Sequence, residues 1–372
     1  MTRRIFYIHA NPMPSAEANT INVARMAGGL AGHAPVTLLV RSLASAGRIR
    51  GYYGIDADCA IRPLKMLFWH WHMRLFPAVA LAAGPLLARK DIVYTRNLRI
   101  CRAALARGFD TLLELHAPLD VGKREPEHGR RLLSEPRLRR IVAVSEPVAR
   151  SVADSAGGDQ AVRAKTLVLP HGVDIASYPD PLPLPARPSI VYAGNLHPGR
   201  GLSIIDSLAR EFPRLSFAVV GGTRDRYIAA TGDMPPANLE LEAHLPPVRI
   251  AARLASADVL LAPYERRVYV DPDRRYRSDA FMAPLKIFDY LGAGAVILAS
   301  DLPAIRDLLE DGTDALLIDP DRPDLWAEAL RAVLADADLR ARLLKGARRT
   351  AARIGSWRER ARKALAGIDL EA

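Results

Sequence analysis

The sequence predicts an α/β protein that contains two doubly wound parallel sheets. Apolar runs rich in β-branched and aromatic residues alternate with longer helical or irregular segments along the chain. Strands that are apolar on both faces are typical of parallel sheets covered by helices on each side. The alternation is interrupted once, by the segment PDPLPLPARP that begins at Pro179, and then starts again. The pattern therefore predicts two sheets joined by a proline-rich linker.

The predicted elements divide the chain into four parts. Strands are predicted before the linker at residues 5–8, 36–40, 92–94, 111–115, 141–144 and 167–169. Further strands are predicted after it at residues 190–193, 216–220, 239–243, 259–262 and 295–299. The resulting parts are an N-terminal domain at 1–178, a linker at 179–189, a C-terminal domain at 190–352 and a C-terminal helix at 353–372.

Length and composition exclude several classes of protein. A chain of 372 residues that is 49% hydrophobic, with a mean hydropathy of +0.01, is large enough for two domains and is not intrinsically disordered. Two cysteines, Cys59 and Cys101, cannot form a disulfide framework or a four-cysteine zinc site, which indicates a reducing, cytoplasmic compartment. The short apolar run near the N-terminus ends at His9 and predicts a first strand rather than a signal peptide.

The formal charge of +11 lies wholly in the first half of the chain. Residues 1–178 contain 25 Lys or Arg against 14 Asp or Glu, whereas residues 179–372 contain 27 of each. One interpretation is an arginine-rich, solvated surface. The other is that the N-terminal half meets an anionic partner, such as a phosphate-bearing lipid or the inner face of the cytoplasmic membrane. Because no nucleic-acid-binding motif accompanies the charge, we predict no nucleic-acid partner.

Residues 278–300, SDAFMAPLKIFDYLGAGAVILAS, predict a loop, a helix and a buried strand. Pro284 suits the first helical position, because its missing N–H has no intrahelical partner there. Glycines at Gly292 and Gly294 predict the end of the helix, before the strand.

Two side chains near the start of this helix indicate an anion site. The exposed amides of a helix N-terminus attract anions. Lys286 adds a positive charge in the first turn, where the helix dipole favours a negative group. Its presence therefore indicates an anionic ligand that offsets the repulsion. Asp289 lies three residues on, over the same face. Such a cation and carboxylate suit a diphosphate and a ribose hydroxyl, respectively; the alternative is an ordinary surface ion pair.

Polar residues directly follow many of the predicted strands. In doubly wound sheets, ligands bind outside the carboxyl ends of the strands, so these residues are site candidates. They are His9, Asn11, Arg41, Arg96, His116, Ser145, His171, residues 195–200, Gly221, Gly222, Tyr264, Glu265 and Ser300.

The helix segment resembles the donor-binding motif of retaining glycosyltransferases of family 4, within the glycosyl transferases of group 1. A variant of that motif reads Pro-x-Lys-x-x-Glu-Tyr before a glycine turn, and Pro284, Lys286, Asp289 and Tyr290 match it with aspartate in place of glutamate. Phe281 stands where the family has a further glutamate that meets the donor sugar. The resemblance implies the GT-B fold, in which two Rossmann-like domains face each other across a cleft.

The same resemblance implies further donor-binding residues. The segment YAGNLHPGRG at 192–201 is similar to the first strand of the family's donor domain and the turn that holds the diphosphate. Arg200 matches one of the family's two cations, whereas Asn195 stands in place of the other, so we infer that Arg200 and Lys286 together neutralise the diphosphate. The alternative for Arg200 is a solvent-exposed turn residue. The remaining donor-binding residues implied by the resemblance are Gly194, Gly222, Tyr264, Met282 and Ala283.

In the N-terminal half the resemblance implies three roles. His116 resembles a histidine that orients the donor sugar, and it is assigned as catalytic together with Arg200 and Lys286. Asn11 and Ser15 lie in the segment that corresponds to the family's phosphate loop, although glycine is absent here. His171 belongs to a strand and turn with a structural, hinge-like role. The segment around Trp357 looks like a helix that crosses back to the N-terminal domain.

The implied reaction transfers a sugar from a UDP- or GDP-sugar to a hydroxyl of a glycan or lipid-linked acceptor, with retention of configuration. The family is thought to use same-face attack, so the resemblance implies no cofactor, no metal and no protein nucleophile. The alternatives are a sugar-nucleotide epimerase of the same fold and a degenerate, non-catalytic binding protein.

One aromatic segment leaves two interpretations open. Residues 62–76, RPLKMLFWHWHMRLF, combine tryptophans with basic residues, which suits either a membrane interface or a buried acceptor-channel helix. The apolar run that follows is too short and too interrupted by proline to span a bilayer. The sequence therefore predicts a cytoplasmic protein that binds, at most, peripherally to the inner face of the membrane.

Overall fold

The computed structural model describes residues 2–65, 76–81, 87–119, 131–178, 187–270 and 273–371. The chain forms two compact units. The first contains Met1–Gly172 together with Ser356–Ala372, and the second contains Val173–Gly355. Each unit is built on a parallel sheet with helices between successive strands. This is the predicted α/β architecture with two doubly wound sheets.

The first unit contains a seven-stranded sheet. Its strands are β1 (Ile5–Pro12), β2 (Val36–Arg41), β3 (Cys59–Leu64), β4 (Ile92–Thr95), β5 (Asp110–Leu115), β6 (Leu138–Ala143) and β7 (Thr166–Val168). They pair in the order β3-β2-β1-β4-β5-β6-β7. The helices between them are α1 (Ala18–Ala31), α2 (Ala46–Tyr53), α3 (Leu98–Ala106), α4 (Glu146–Ser155) and α5 (Gln160–Ala164), with helical residues also at 76–81 and 131–133.

The second unit contains a six-stranded sheet. Its strands are β8 (Ser189–Ala193), β9 (Ser216–Val220), β10 (Leu239–Glu242), β11 (Val259–Ala262), β12 (Val296–Ser300) and β13 (Leu316–Ile318). They pair in the order β10-β9-β8-β11-β12-β13. Its helices are a 3₁₀ turn (Ile175–Ser177), α6 (Leu202–Glu211), α7 (Arg224–Thr231), α8 (Pro247–Ala255), α9 (Leu285–Ala293), α10 (Pro303–Arg306), α11 (Pro323–Ala335) and α12 (Ala337–Ile354).

Every strand predicted from the sequence is present, and two further strands of the described ranges were missed. Strand β3 lies at a sheet edge and contains an exposed Arg62 and Pro63, so it lacks the continuous apolar run that marks a central strand. Strand β13 is only three residues long and also lies at an edge. Central strands carry the strongest pattern because helices cover both of their faces.

The unit boundaries differ from the predicted domain boundaries by a few residues. The first unit ends at Gly172 rather than 178, because Val173 is buried in the second unit's core and Tyr178 packs against that core. Ile354 packs on the same core, so the second unit extends to Gly355 rather than 352. Residues 179–186 of the predicted linker lie outside the described residues, and so do residues 66–75, which contain the tryptophans of the aromatic segment.

The last helix, α13 (Trp357–Leu365), belongs to the first unit and begins with a capping box made by Ser356 and Glu359. Its start lies very close to two glycines. A Cβ at Gly29 of α1 would be 2.4 Å from the Trp357 carbonyl oxygen, and one at Gly172 would be 2.5 Å from the Trp357 nitrogen. The absence of side chains at these two positions therefore allows α13 to dock on α1.

Among the described residues, the helices are each too short or too polar to cross a lipid bilayer.

We predict opposite effects on stability for alanine at two neighbouring glycines of α1. Gly28 has no atom within 4 Å of its virtual Cβ, so Gly28→Ala gains about 0.5–1 kcal/mol from helix propensity. Gly29→Ala forces the Trp357 backbone away and loses about 1–3 kcal/mol. Denaturant unfolding of both variants tests this; a shift of both in the same direction would contradict the docking of α13.

Candidate active site

Helix α9 begins one residue later than the sequence predicts. Pro284 is the N-cap, with φ −70° and ψ 112°, and the helix starts at Leu285. The Pro284 carbonyl accepts a hydrogen bond from the Ile287 amide at 3.0 Å. Proline thus takes part in the first turn although it precedes the first helical residue. Lys286 is therefore the second residue of the first turn, beside the helix amides that lack intrahelical acceptors.

The predicted double glycine stop is only half right. Gly294 ends α9 in the left-handed conformation, with φ 74°. Gly292, however, lies inside the helix, where a Cβ would be 2.6 Å from the Tyr178 ring. Glycine is needed there for close packing rather than for ending the helix. Tyr178 also donates a hydrogen bond to Asp289 Oδ1 at 3.1 Å, which fixes that carboxylate on the next turn.

Lys286 is a buried cation without a protein acceptor. Within the part of the chain that the structure describes, its Nζ is buried and has no hydrogen-bond partner. The nitrogen lies 3.7 Å from the centre of the Tyr192 ring and 4.9 Å from that of Tyr264. Burial, and to a smaller extent the charge of Arg200, hold the Lys286 pKa well below its usual value. An anion beside this nitrogen would supply the missing partner and favour the charged form of the side chain.

Arg200 lies in the loop after β8 and approaches the Tyr264 ring, which Lys286 also faces. Its guanidinium carbon is 5.4 Å from the Tyr264 ring centre, and its Nη2 donates to the Tyr269 carbonyl at 3.3 Å. Its Nε is buried and has no partner among the described residues. The loop requires glycine at Gly201, where φ is 75° and a Cβ would be 1.6 Å from the Pro263 carbonyl oxygen. Arg200 is therefore held in place rather than being a free turn residue.

Tyr192 was missed as a site residue by the sequence reasoning. Its ring underlies the Lys286 ammonium, and its hydroxyl donates to the Asn195 carbonyl at 2.7 Å. The Tyr290 hydroxyl accepts from the Ala193 amide at 2.9 Å and donates to the Leu261 carbonyl at 3.1 Å, which fastens α9 to β8 and β11. Only the tertiary contact of Tyr192 with Lys286 reveals its role, because its position at a strand end suggests a core residue.

The other predicted donor-binding residues lie in three places: beside Lys286, after β9 and in the loop before α9. Gly194 lies against Lys286, since a Cβ there would be 3.0 Å from Nζ, and Asn195 follows it and accepts the His197 amide at 3.3 Å. Gly222 packs against side chains of its own unit, with a virtual Cβ 2.7 Å from Val219. The loop before α9 contains Phe281, Met282 and Ala283, of which Met282 is buried in the core and the other two are partly exposed.

His116 of the first unit lies in a buried polar network. Its Nε2 is 2.6 Å from Oε1 of Glu114, which is 1% exposed, and Glu114 pairs with Arg360 of α13 at 3.2 Å. The Arg360 guanidinium holds the pKa of Glu114 well below its usual range despite burial, while burial and the charge of Arg96 lower the His116 pKa to about 4. Near neutral pH the network therefore contains an ionised carboxylate beside a neutral histidine.

The predicted phosphate loop is placed differently from the expectation. Asn11 lies inside β1, which extends to Pro12, rather than in a loop after it, because the strand continues through a register shift beside β2. The Ser15 amide donates to the Tyr53 hydroxyl at 2.7 Å, and its hydroxyl contacts Thr20 at 3.0 Å. The Ser15 amide and hydroxyl, which were predicted to bind phosphate, thus form hydrogen bonds within the protein.

A second basic cluster lies at the carboxyl edge of the first sheet. His9 is 7% exposed, and its Nε2 has no partner among the described residues. Burial, followed by the charges of Arg96 and Arg41, lowers the His9 pKa to about 3. His171 is also buried, 5.4 Å from His116 and 5.6 Å from Trp357 between ring centres. No cluster of three potential metal ligands occurs within the described ranges.

Three kinds of comparison relate the chain to known proteins. A family model described as glycosyl transferase-like matches residues 200–366. Phosphatidyl-myo-inositol mannosyltransferase of Mycolicibacterium smegmatis is 28% identical over 210 residues, which cover 54% of this chain and 49% of the relative. D-inositol 3-phosphate glycosyltransferase of Xylanimonas cellulosilytica is 28% identical over 274 residues, which cover 66% of this chain and 60% of the relative. The chain thus matches about half to three fifths of these relatives' lengths.

Solved structures show the fold. Anabaena HepE, crystallised with UDP and glucose, has a TM-score of 0.70 at 13% identity, covering 99% of this chain and 100% of that one. Sucrose-phosphate synthase from Thermosynechococcus elongatus has a TM-score of 0.69 at 14% identity, covering 97% of both chains. The predicted GT-B fold and the predicted resemblance to group 1 glycosyltransferases are confirmed.

We predict that Lys286→Met stabilises the ligand-free protein. The buried, unpartnered amine costs about 1–3 kcal/mol, which methionine of similar shape removes. Because the folded-state pKa of Lys286 lies below its unfolded value of about 10.4, the unfolded chain binds more protons in the window between them. Wild-type stability therefore rises with pH through that window, and the advantage of the variant shrinks.

Thermal unfolding between pH 7 and pH 10 measures this difference. Lys345→Met removes an exposed lysine of α12 and is the matched control, with little change expected. A variant at Lys286 that is less stable than the wild type at pH 7 would contradict the picture of an uncompensated cation.

Proposed function

We propose that this chain, a relative of the group 1 glycosyltransferases, transfers a sugar from a nucleoside diphosphate donor to a hydroxyl group with retention of configuration. The observation that carries the proposal is the buried Lys286 ammonium, which has aromatic faces around it and no acceptor among the described residues. A protein gains nothing in stability from such a group. An anionic ligand that pairs with it explains why the fold keeps it.

A diphosphate is the anion that the surrounding groups fit best. Lys286 and Arg200 approach the Tyr264 ring at 4.9 and 5.4 Å, so two phosphates beside this ring meet two cations. The amides at the start of α9 add the positive end of a helix dipole. Asp289, held by Tyr178 on the next turn, supplies a carboxylate for a ribose hydroxyl.

The same cations supply the chemistry. Negative charge develops on the diphosphate as the bond to the sugar breaks, and fixed positive groups stabilise that charge in the transition state. The departing phosphate accepts the proton of the incoming hydroxyl, so the reaction needs no protein nucleophile. We assign to His116, whose side chain is 18% exposed, the binding of a sugar hydroxyl. The proposed mechanism therefore assigns the counter-charge to protein groups rather than to a divalent cation or another cofactor.

The acceptor is a glycan or lipid-linked molecule, and the charge of the first unit favours one that carries phosphate. Arg41 and Arg96 lie beside the neutral His9 at the carboxyl edge of the first sheet, where ligands of such sheets bind. The names of both curated relatives refer to inositol compounds that contain phosphate. An anionic surface at the inner face of the cytoplasmic membrane supplies acceptors of this class, and peripheral binding there is part of the proposal.

We predict that one nucleotide sugar from a panel of UDP- and GDP-sugars raises the melting temperature and is hydrolysed or transferred. The matching nucleoside diphosphate, but not the nucleoside, should produce a similar shift. Arg200→Met and Lys286→Met each remove a charged partner worth about 1.5–3 kcal/mol, so affinity should fall about 10–150-fold. Lys345→Met is the control and should bind normally.

The other results of this panel separate the alternatives. Tight binding without any turnover supports a non-catalytic binding protein. Interconversion of the sugar without transfer supports an epimerase. An absence of binding by every nucleotide sugar and diphosphate overturns the proposal.

We also predict that chelation leaves turnover unchanged and that the product retains the anomeric configuration of the donor. Both follow if Lys286 and Arg200 neutralise the leaving group and the attack is same-face. Initial rates with and without EDTA, and the anomeric coupling constant of the product by proton NMR, measure them. Activity lost on chelation and restored by Mg²⁺ or Mn²⁺ would contradict the first, and an inverted product the second.

A further inference from the structure

The carboxylate of Glu114 and the guanidinium of Arg360 form a buried ion pair inside the first unit. Glu114 lies near the end of β5 and is 1% exposed, and Arg360 lies in α13 and is 3% exposed. Two contacts join them: Arg360 Nη2 to Glu114 Oε1 at 3.2 Å, and Nη1 to Oε2 at 3.3 Å. The pair therefore links the last helix of the chain to the central part of the sheet.

Both charged groups are fully engaged with protein atoms. Arg360 also donates to the carbonyls of Pro170 at 2.6 Å and Leu169 at 3.1 Å. Glu114 accepts the Tyr94 hydroxyl on one oxygen and faces His116 Nε2 at 2.6 Å on the other. Neither group has capacity left for a ligand. The member of this network that reaches solvent is His116, whose side chain is 18% exposed.

The chemistry of this contact fixes where the histidine carries its proton. A carboxylate held ionised by an arginine can only accept, so a ring nitrogen 2.6 Å away must donate. Burial and the charge of Arg96 keep His116 neutral near pH 7. A neutral imidazole has one N–H, which lies at Nε2, and Nδ1 is then an acceptor.

We infer that Glu114 and Arg360 are positioning residues that hold His116 as the Nε2–H tautomer, so that its Nδ1 accepts a hydrogen bond from a hydroxyl of the sugar substrate. This inference deepens the proposed glycosyl transfer and rests on it for the identity of the ligand. The holding of the tautomer, however, is a property of the protein without ligand. The last helix thus contributes to the reactive face of the first unit without contacting substrate.

Stability alone gives a weak reason to keep this pair. Replacing a buried ion pair by apolar residues of similar volume is often neutral or stabilising, whereas removing one partner leaves a buried charge unpaired. The double variant Glu114→Met, Arg360→Met removes both charges together. It therefore separates the positioning of His116 from the folding of the unit.

The experiment compares full-length wild type with this double variant. Nitrogen-15 NMR of labelled histidine should report the Nε2–H tautomer of His116 in the wild type and a mixture of tautomers in the variant. With the donor found in the nucleotide-sugar panel, kcat should fall about 10–100-fold, the loss typical of a misplaced contact, while the donor KM changes less than about threefold. The melting temperature should stay within a few degrees.

A matched control lies at the other end of the same strand. Asp110 begins β5 and pairs with Arg3 at 2.7 Å, with side chains 9% and 10% exposed. The double variant Arg3→Met, Asp110→Leu should leave the His116 spectrum and kcat unchanged. Arg360→Lys keeps a positive charge beside Glu114. This single variant should therefore keep the single tautomer of His116 and part of the wild-type rate.

The NMR measurement decides the inference even if glycosyl transfer is not observed. A wild-type tautomer in the methionine double variant overturns the positioning role, and so does a mixture of tautomers in the wild type. An unchanged kcat with an altered tautomer overturns the catalytic use of Nδ1. If the methionine double variant fails to fold, Glu114→Gln combined with Arg360→Met replaces it with the same expected spectrum, since it also removes both charges and an amide accepts from or donates to the ring. A wild type without transfer counts against the proposed function alone.

Discussion

The uncompensated charge of Lys286 is the constraint on which the interpretation of this protein depends. A lysine Nζ buried among Tyr192, Tyr264 and the Gly194 backbone loses its hydration and receives no carboxylate in return from the residues that the structure describes. The aromatic faces return part of the lost energy, since cation–π contacts are worth about 0.5–2 kcal/mol, yet the pKa remains lowered. We propose that an anionic ligand supplies the partner that the described residues do not provide.

The backbone packs closely around Lys286 and Arg200. Gly194 brings the chain against Nζ, and Gly201 allows the left-handed turn that presents Arg200. The Tyr290 hydroxyl joins α9 to β8 and β11 through two hydrogen bonds. Preorganised charges cost no rearrangement during a reaction, which is where their catalytic value lies.

In the first unit, by contrast, the buried charge of Glu114 is paired within the protein. Glu114 accepts hydrogen bonds from Arg360, Tyr94 and His116. Its charge is therefore neutralised inside the protein and is not free to bind a ligand. In our proposals, the second unit uses Lys286 to bind an anion, and the first unit uses an internal ion pair to orient a neutral histidine. The two arrangements suit binding of a charged group and orientation of an uncharged one, respectively.

The sequence by itself determined the two parallel sheets and the helix that carries Lys286 and Asp289. These depend on local patterns: apolar runs, proline and glycine at helix ends, and charges at strand ends. It missed the edge strands β3 and β13, the packing role of Gly292 and the position of Asn11 within β1. Only the tertiary structure decided that Tyr192 lies under Lys286 and that Arg360, 246 residues from Glu114, neutralises it. Such contacts join residues that are distant in the chain, and no local pattern encodes which buried charges will meet.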